Sequence, residues 1–227
     1  MEQRFIDEFV TWKHKTPVGV KVQEVFGMDS KTGNLWLELA RQIYYELDDS
    51  EYRAIDHFEN GAPFLDNYPG RISITHTSHF FAVASLPKTP EVNLENFSLR
   101  AAMGIDAEPL TREKVLNVRK KFLSNEEELI IPADNLLKNI QAWTAKEALY
   151  KAALTSGIDF KENLKILSLP EIDKNPELNS KPVLGNALII FPDKSGIPSQ
   201  EMFIYSYESY GCCVTIAISP KAAKFGK

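Results

Sequence analysis

The apolar positions of this chain fall into short periodic runs, separated by polar, glycine-bearing or proline-bearing turns. Near the start, Phe5, Ile6, Phe9, Val10 and Trp12 recur at helical spacing and predict an amphipathic helix over residues 1–16. Val18-Gly19-Val20-Lys21-Val22 and Asn34-Leu35-Trp36-Leu37 carry strand-forming residues, but Leu35, Leu39, Ile43 and Leu47 step by four and favour a helix there. Asp48, Asp49 or Ser50 would cap a second short helix, Glu51 to Glu59, that ends near Asn60-Gly61. Arg71-Ile72-Ser73-Ile74-Thr75 alternates as a strand, His76-Thr77-Ser78 turns, and His79-Phe80-Phe81-Ala82-Val83-Ala84 runs back beside it. Residues 87–96, with two prolines and few apolar groups, read as a linker between halves, 1–90 and 97–227.

The second half opens with a buried strand, Phe97 to Asp106. A helix follows from Pro109 or Thr111 to about Leu123, and another from about Asn135 to Ser156, stopping at Gly157. Strands are then expected at Leu164–Leu169, Ala187–Phe191, Glu201–Tyr207 and Cys212–Ser219. There is a faint internal echo. Cys212-Cys213-Val214-Thr215-Ile216-Ala217 follows the turn Tyr210-Gly211 much as the His79–Ala84 strand follows its own turn, and chance accounts for this about as well as duplication.

Composition narrows the class. A chain of 227 residues holds one large domain or two small ones, and 44% hydrophobic with 25% charged residues is ordinary globular material. No apolar run approaches the ~18 residues of a membrane span, and Met1-Glu2-Gln3-Arg4 does not begin a signal peptide. The expectation is a cytoplasmic protein with no membrane partner. A formal net charge of −5 argues against nucleic-acid binding through bulk charge. Cys212 and Cys213 are adjacent, so a disulfide between them would be strained, and buried reduced thiols are expected.

The candidate chemistry lies in the second half. Asp106 and Glu108 alternate, which puts both carboxylates on one face if the strand continues through them. Two close carboxylates repel unless a cation or proton neutralises them; a solvated strand end before Pro109 is the plainer reading. In the later helix, Leu136, Ile140, Trp143, Glu147, Tyr150 and Leu154 form one stripe, with Glu147 where an apolar residue is called for. A carboxylate buried there costs several kcal/mol unless it is paired or ligates a metal. Lys151, one turn on, offers a simple surface pair instead, and Leu149 with several alanines offers a different buried face. Three carboxylates without a His or Cys cluster favour Mg²⁺ or Mn²⁺ over zinc, and such ions commonly bridge phosphate oxygens. His76, flanked by Thr75 and Thr77 in a turn, could hold a phosphate or simply cap the turn.

These segments resemble the 4′-phosphopantetheinyl transferases, specifically the long, two-lobed, surfactin-synthetase-activating type. Gly104-Ile105-Asp106-Ala107-Glu108 and Trp143-Thr144-Ala145-Lys146-Glu147-Ala148-Leu149-Tyr150-Lys151 are similar to that family's two acidic motifs. Arg119-Lys120-Lys121-Phe122-Leu123-Ser124-Asn125-Glu126-Glu127 resembles the segment between them, and Glu59–Leu65 and Ile74–Thr77 resemble two upstream stretches. The resemblance implies an α+β fold of two similar lobes related by a pseudo-twofold axis, each a small antiparallel sheet packed with helices. It implies a monomer that binds coenzyme A between the lobes with Mg²⁺, or Mn²⁺, on the diphosphate. The activity implied is transfer of 4′-phosphopantetheine to a serine of an acyl or peptidyl carrier protein, releasing 3′,5′-ADP. Asp106, Glu108 and Glu147 would hold the metal, directly or through water, Lys151 the diphosphate, and His76 with Thr75 the 3′-phosphate side, while Glu147, or a water it holds, would serve as base. Lys146 and Glu127 also match family positions. Ala62, Thr75 and Thr77 depart from the usual lysine and serines, and an arginine-rich first-lobe helix is not evident. A coenzyme A or carrier-binding module without activity is the rival reading. Arg112, Lys114, Arg119, Lys120 and Lys121 make the helix after the acidic pair basic, a candidate face for an acidic carrier or an ordinary solvated face.

Overall fold

A computed structural model of the chain describes residues 10–27, 55–59, 61–65, 70–86, 102–176 and 181–223. Strands β1 (Val10–Lys15) and β2 (Lys21–Phe26) form a hairpin, β2 pairs with β6 (Phe80–Leu86), and β6 pairs with β5 (Arg71–His76). All pairings are antiparallel, giving a first sheet of order β1-β2-β6-β5. A separate two-stranded ribbon joins β3 (Ile55–His57) to β4 (Pro63–Leu65). The second sheet contains β7 (Met103–Pro109), β8 (Leu164–Ser168), β9 (Gly185–Ile189), β10 (Gln200–Ser209) and β11 (Cys212–Ile218). Its order is β7-β11-β10-β9-β8, again antiparallel throughout. Three helices lie between β7 and β8: α1 (Lys114–Phe122), α2 (Asn125–Ile130) and α3 (Leu136–Ala153). The fold is a mixed α/β arrangement of antiparallel sheets with few helices.

The second sheet is covered on both faces, which explains why β11 is buried throughout, with Thr215 its one hydroxyl among otherwise apolar or thiol side chains. On one face, Cys213 and Ala217 share a core with Ala142, Ala145, Ala148, Leu149 and Ala152 of α3. On the other, Val214, Ile216 and Ile218 join Met103, Ile105 and Ala107 of β7 against Val20, Val22, Phe80, Ala82 and Ala84 of the first sheet. The alternation along β7 therefore leaves Gly104, Asp106 and Glu108 facing α3.

Where the sheets meet, β7 presents an edge whose N–H groups need acceptors. Two hydroxyls of β5 supply them: Ile105 N donates to Ser73 Oγ at 3.0 Å, and Ala107 N to Thr75 Oγ1 at 3.1 Å. A second polar tie is buried Glu24 on β2, which accepts from Tyr207 Oη at 2.6 Å and from Ser209 Oγ.

Several expectations need correction. Residues 10–15, predicted as the end of a helix, are strand β1, and residues 1–9 lie outside the described set. The helix expected over Glu51–Glu59 is contradicted at 55–57, which form β3. The helix expected over residues 35–47, the linker at 87–96 and the start of the strand at 97 also fall outside the described residues. The β5–β6 hairpin is present with its turn one residue later, and β7 continues through Glu108 as the alternation required. Helix α2 was not anticipated. Its signal is a capping box: Ser124 Oγ accepts from Glu127 N, while Glu127 returns a bond to Ser124 N.

Candidate functional site

The site begins with a glycine. Helix α3 passes so close to β7 that a Cβ on Gly104 would sit 2.1 Å from the carbonyl oxygen of Ala148 and 2.8 Å from the nitrogen of Ala152. No other residue fits there without separating helix from strand. The alanines of α3 make the matching contribution on the helix side. This close crossing sets the residues that precede the two contact points, Glu147 and Lys151, beside Asp106 and Glu108.

Asp106 is buried. Its Oδ1 accepts from Lys151 Nζ at 2.7 Å and from Thr75 Oγ1 at 3.0 Å, while its Oδ2 is buried without a hydrogen-bond partner among the described residues. Lys151 Nζ also donates to the carbonyl of Ile105 at 3.0 Å. Glu108 accepts from Trp143 Nε1 at 3.0 Å through Oε1, and its Oε2 meets the Arg112 guanidinium. The Trp143 ring is held between Phe122 and Phe160, at centroid distances of 5.1 and 5.9 Å.

The electrostatics are those of carboxylates drawn away from water. Burial pushes the Asp106 carboxyl above its ordinary range, opposed by Lys151 and Thr75. Burial likewise raises Glu108, opposed chiefly by Arg112. Glu147 is raised to about 7, first by burial and then by the charge of Asp106, with Lys151 and Arg112 opposing. The three carboxylates thus share one field with two cations.

Among the described residues, no three His, Cys, Asp or Glu side chains form a ready-made metal cluster. The donor set still fits a hard cation. Asp106 Oδ2 is buried without a partner among the described residues, and the donors gathered here are carboxylate oxygens, the ligands a hard cation takes.

Other predicted residues are placed differently from one another. Thr75 is buried, its hydroxyl accepting from Ala107 N and donating to Asp106, so it fixes the acidic strand. His76 follows it on β5 and is exposed, on the opposite strand face. The stripe assigned to α3 is not the buried one: Ala142, Ala145, Ala148, Leu149 and Ala152 are fully buried, whereas Trp143 and Glu147 flank that face half-buried and Tyr150 is exposed. Glu147 therefore sits at the rim of the helix–sheet contact, reachable from outside.

Lys146 and Glu127 have a clear structural part. Lys146 Nζ is wholly buried and lies 2.6 Å from Glu127 Oε1, and it donates to the carbonyls of Phe160, at 2.8 Å, and Leu164. Glu127 in turn accepts from the backbone N–H of Ser124 at 2.7 Å and of Ile166 at 2.6 Å. The pair ties α2, α3 and β8 together directly behind the site; burial lowers the lysine to about 8 despite its partner. Arg119 turns inward as well, to Asn139, Glu128 and the Ile131 carbonyl, and so leaves the basic face of α1, where Lys114, Lys120 and Lys121 are exposed. Arg112, Trp143 and Gly104 gained their site roles only from the structure. Cys212 and Cys213 are free and buried, and burial raises their thiols to about 12 and about 11.

No helix among the described residues is long and apolar enough to cross a membrane. Residues 102–190 match the family model described as the 4′-phosphopantetheinyl transferase superfamily. None of the curated proteins matches the sequence.

Proposed function

On the premise that residues 102–190 belong to the 4′-phosphopantetheinyl transferase superfamily, we propose that this chain transfers phosphopantetheine from coenzyme A to a serine of an acyl or peptidyl carrier protein. The observation that carries the proposal is the convergence of Asp106, Glu108, Glu147 and Lys151 across one helix–strand crossing, with a buried carboxylate oxygen left over.

In this reading the carrier serine attacks the β-phosphorus of coenzyme A. A new bond forms between the serine oxygen and that phosphorus, the bond to the bridging oxygen breaks, and 3′,5′-ADP leaves. The serine proton goes to Glu147, or to a water it holds, at the rim of the helix–sheet contact. Lys151 lies beside Asp106 and neutralises charge on the diphosphate as the bridging bond breaks. Asp106, Glu108 and Glu147 would hold Mg²⁺ or Mn²⁺, which when bound supplies charge neutralisation on the phosphates. Thr75 orients Asp106 from the first sheet, so a group bound on that side acts on the acidic strand through it. His76, exposed at the end of β5, contacts the 3′-phosphate side.

The same reading takes residues 1–90 and 97–227 as two lobes related by a pseudo-twofold axis, in a monomeric enzyme of the long type. The paired hairpins β5–β6 and β10–β11 support that relation. The exposed Lys114, Lys120 and Lys121 of α1 form the carrier-docking face, a role that fits an acidic partner.

Release of 3′,5′-ADP from coenzyme A tests the proposal. It is expected only with Mg²⁺ or Mn²⁺ and an apo-carrier, and it should vanish when the carrier serine is changed to alanine. Release that ignores the carrier would instead make the protein a phosphohydrolase.

A further inference from the structure

The two oxygens of Glu108 are held by partners of very different freedom. Trp143, which holds Oε1, is wedged between Phe122 and Phe160 and its ring cannot leave without opening the core. Arg112, which holds Oε2, stands in the turn before α1, and its side chain is 45% exposed. Its backbone stays anchored, Arg112 N donating to the Pro109 carbonyl at 3.0 Å, so only the long side chain is free to swing. Asp106 differs, because Lys151 and Thr75 share one oxygen and leave the other open. Of the two carboxylates on β7, therefore, one has an oxygen without a partner among the described residues, and the other has both oxygens engaged, Oε2 by the partner that is freer to move.

We propose that Arg112 is an exchangeable counter-ion: it occupies Glu108 in the metal-free protein, yields that oxygen to the divalent cation, and then binds the phosphate groups of coenzyme A. This rests on reading the acidic trio as a metal centre. The charge count supports the exchange. With all three carboxylates ionised, as a bound divalent cation keeps them, the trio, the cation, Lys151 and Arg112 sum to about +1, matched to an arriving diphosphate. A guanidinium is also suited to both partners in turn, since its planar fork pairs with carboxylate and phosphate alike. The metal and the nucleotide would then bind cooperatively, because the ion frees the arginine that the phosphates need.

Binding of Mn²⁺ alone to the full chain, read by electron paramagnetic resonance, tests the first half. Arg112→Gln is expected to tighten Mn²⁺ several-fold, because the competitor is gone, with Arg112→Lys in between. Calorimetry of coenzyme A against the Mn²⁺-saturated protein tests the second half. There Arg112→Gln is expected to weaken binding about tenfold or more, the scale of a lost charged hydrogen bond. Weaker Mn²⁺ binding in Arg112→Gln would make the arginine a fixed brace for Glu108 and overturn the exchange while leaving the metal centre standing. Unchanged coenzyme A affinity would overturn the hand-over to phosphate. A wild-type protein that binds no Mn²⁺, with or without coenzyme A, would remove the metal centre and the exchange together.

Discussion

Substituting Gly104 by alanine should damage stability and activity together, by a mechanism the geometry specifies. The added Cβ would lie 2.1 Å from the Ala148 carbonyl oxygen and 2.8 Å from the Ala152 nitrogen, where real Cβ contacts do not fall below 3.0 Å. Both neighbours are backbone atoms of α3, so no side-chain rotation relieves the clash. Helix and strand must part by roughly 1 Å, and in a core packed at crystal-like density such overpacking costs about 1–3 kcal/mol or somewhat more. The consequence for function follows from position. Glu147 and Lys151 immediately precede the two clashing residues, so a shift of α3 carries them away from Asp106, stretching the 2.7 Å Lys151–Asp106 contact. Misplacing reacting groups by about 1 Å costs roughly 10²-fold in rate. Urea unfolding gives the stability change, and transfer assayed well below the unfolding midpoint gives kcat/KM for the folded variant. A Gly104→Ala protein with wild-type midpoint and wild-type kcat/KM would refute the claim that this crossing builds the site.

Other consequences follow from the same contacts. Lys146→Met leaves Glu127 buried opposite no charge and should destabilise by about 3–5 kcal/mol, whereas adding Glu127→Gln should recover part of that loss; equal instability of the single and double variants in urea would contradict the pairing. Thr75→Val orphans the Ala107 N–H and one bond to Asp106, a loss of about 1–3 kcal/mol that Thr75→Ser should largely restore, read by thermal unfolding. Glu147 rises from 4.5 to about 7 on folding, so the metal-free native state binds the extra proton between those values and this group's stabilising contribution fades as pH climbs through 7. Glu147→Gln should accordingly gain on wild type in melting temperature by an increment that grows from about pH 5 to about pH 7.5, and Mg²⁺ should erase the difference. A pH-independent difference would show that Glu147 is not the group concerned.

The parts of the fold visible in the sequence are those fixed by local pattern. The hairpins, the strand carrying Asp106 and Glu108, and the long helix through Glu147 each have a period that their own residues declare. At residues 10–15 the helical spacing misleads, because Val10 to Lys15 pair with Lys21 to Phe26, a partnership their own spacing does not reveal. On α3 the sequence offers two faces, the stripe through Trp143 and Tyr150 and the one with Leu149 and the alanines, and the crossing of β7 at Gly104 selects the second. That choice puts Glu147 at the rim, where a base or ligand is useful. It also puts Lys146 in the interior with Glu127. The role of Arg112 was hidden for a related reason: a basic residue beside an acidic motif gives no sign of which carboxylate oxygen it will occupy.

Transfer of phosphopantetheine is read from the intact mass of an apo-carrier incubated with this protein, Mg²⁺ and coenzyme A. The carrier should gain one phosphopantetheine on its serine with wild-type protein and none with Glu147→Ala. A set of apo-carriers of the acyl and peptidyl kinds that all keep their starting mass under wild-type protein would contradict it.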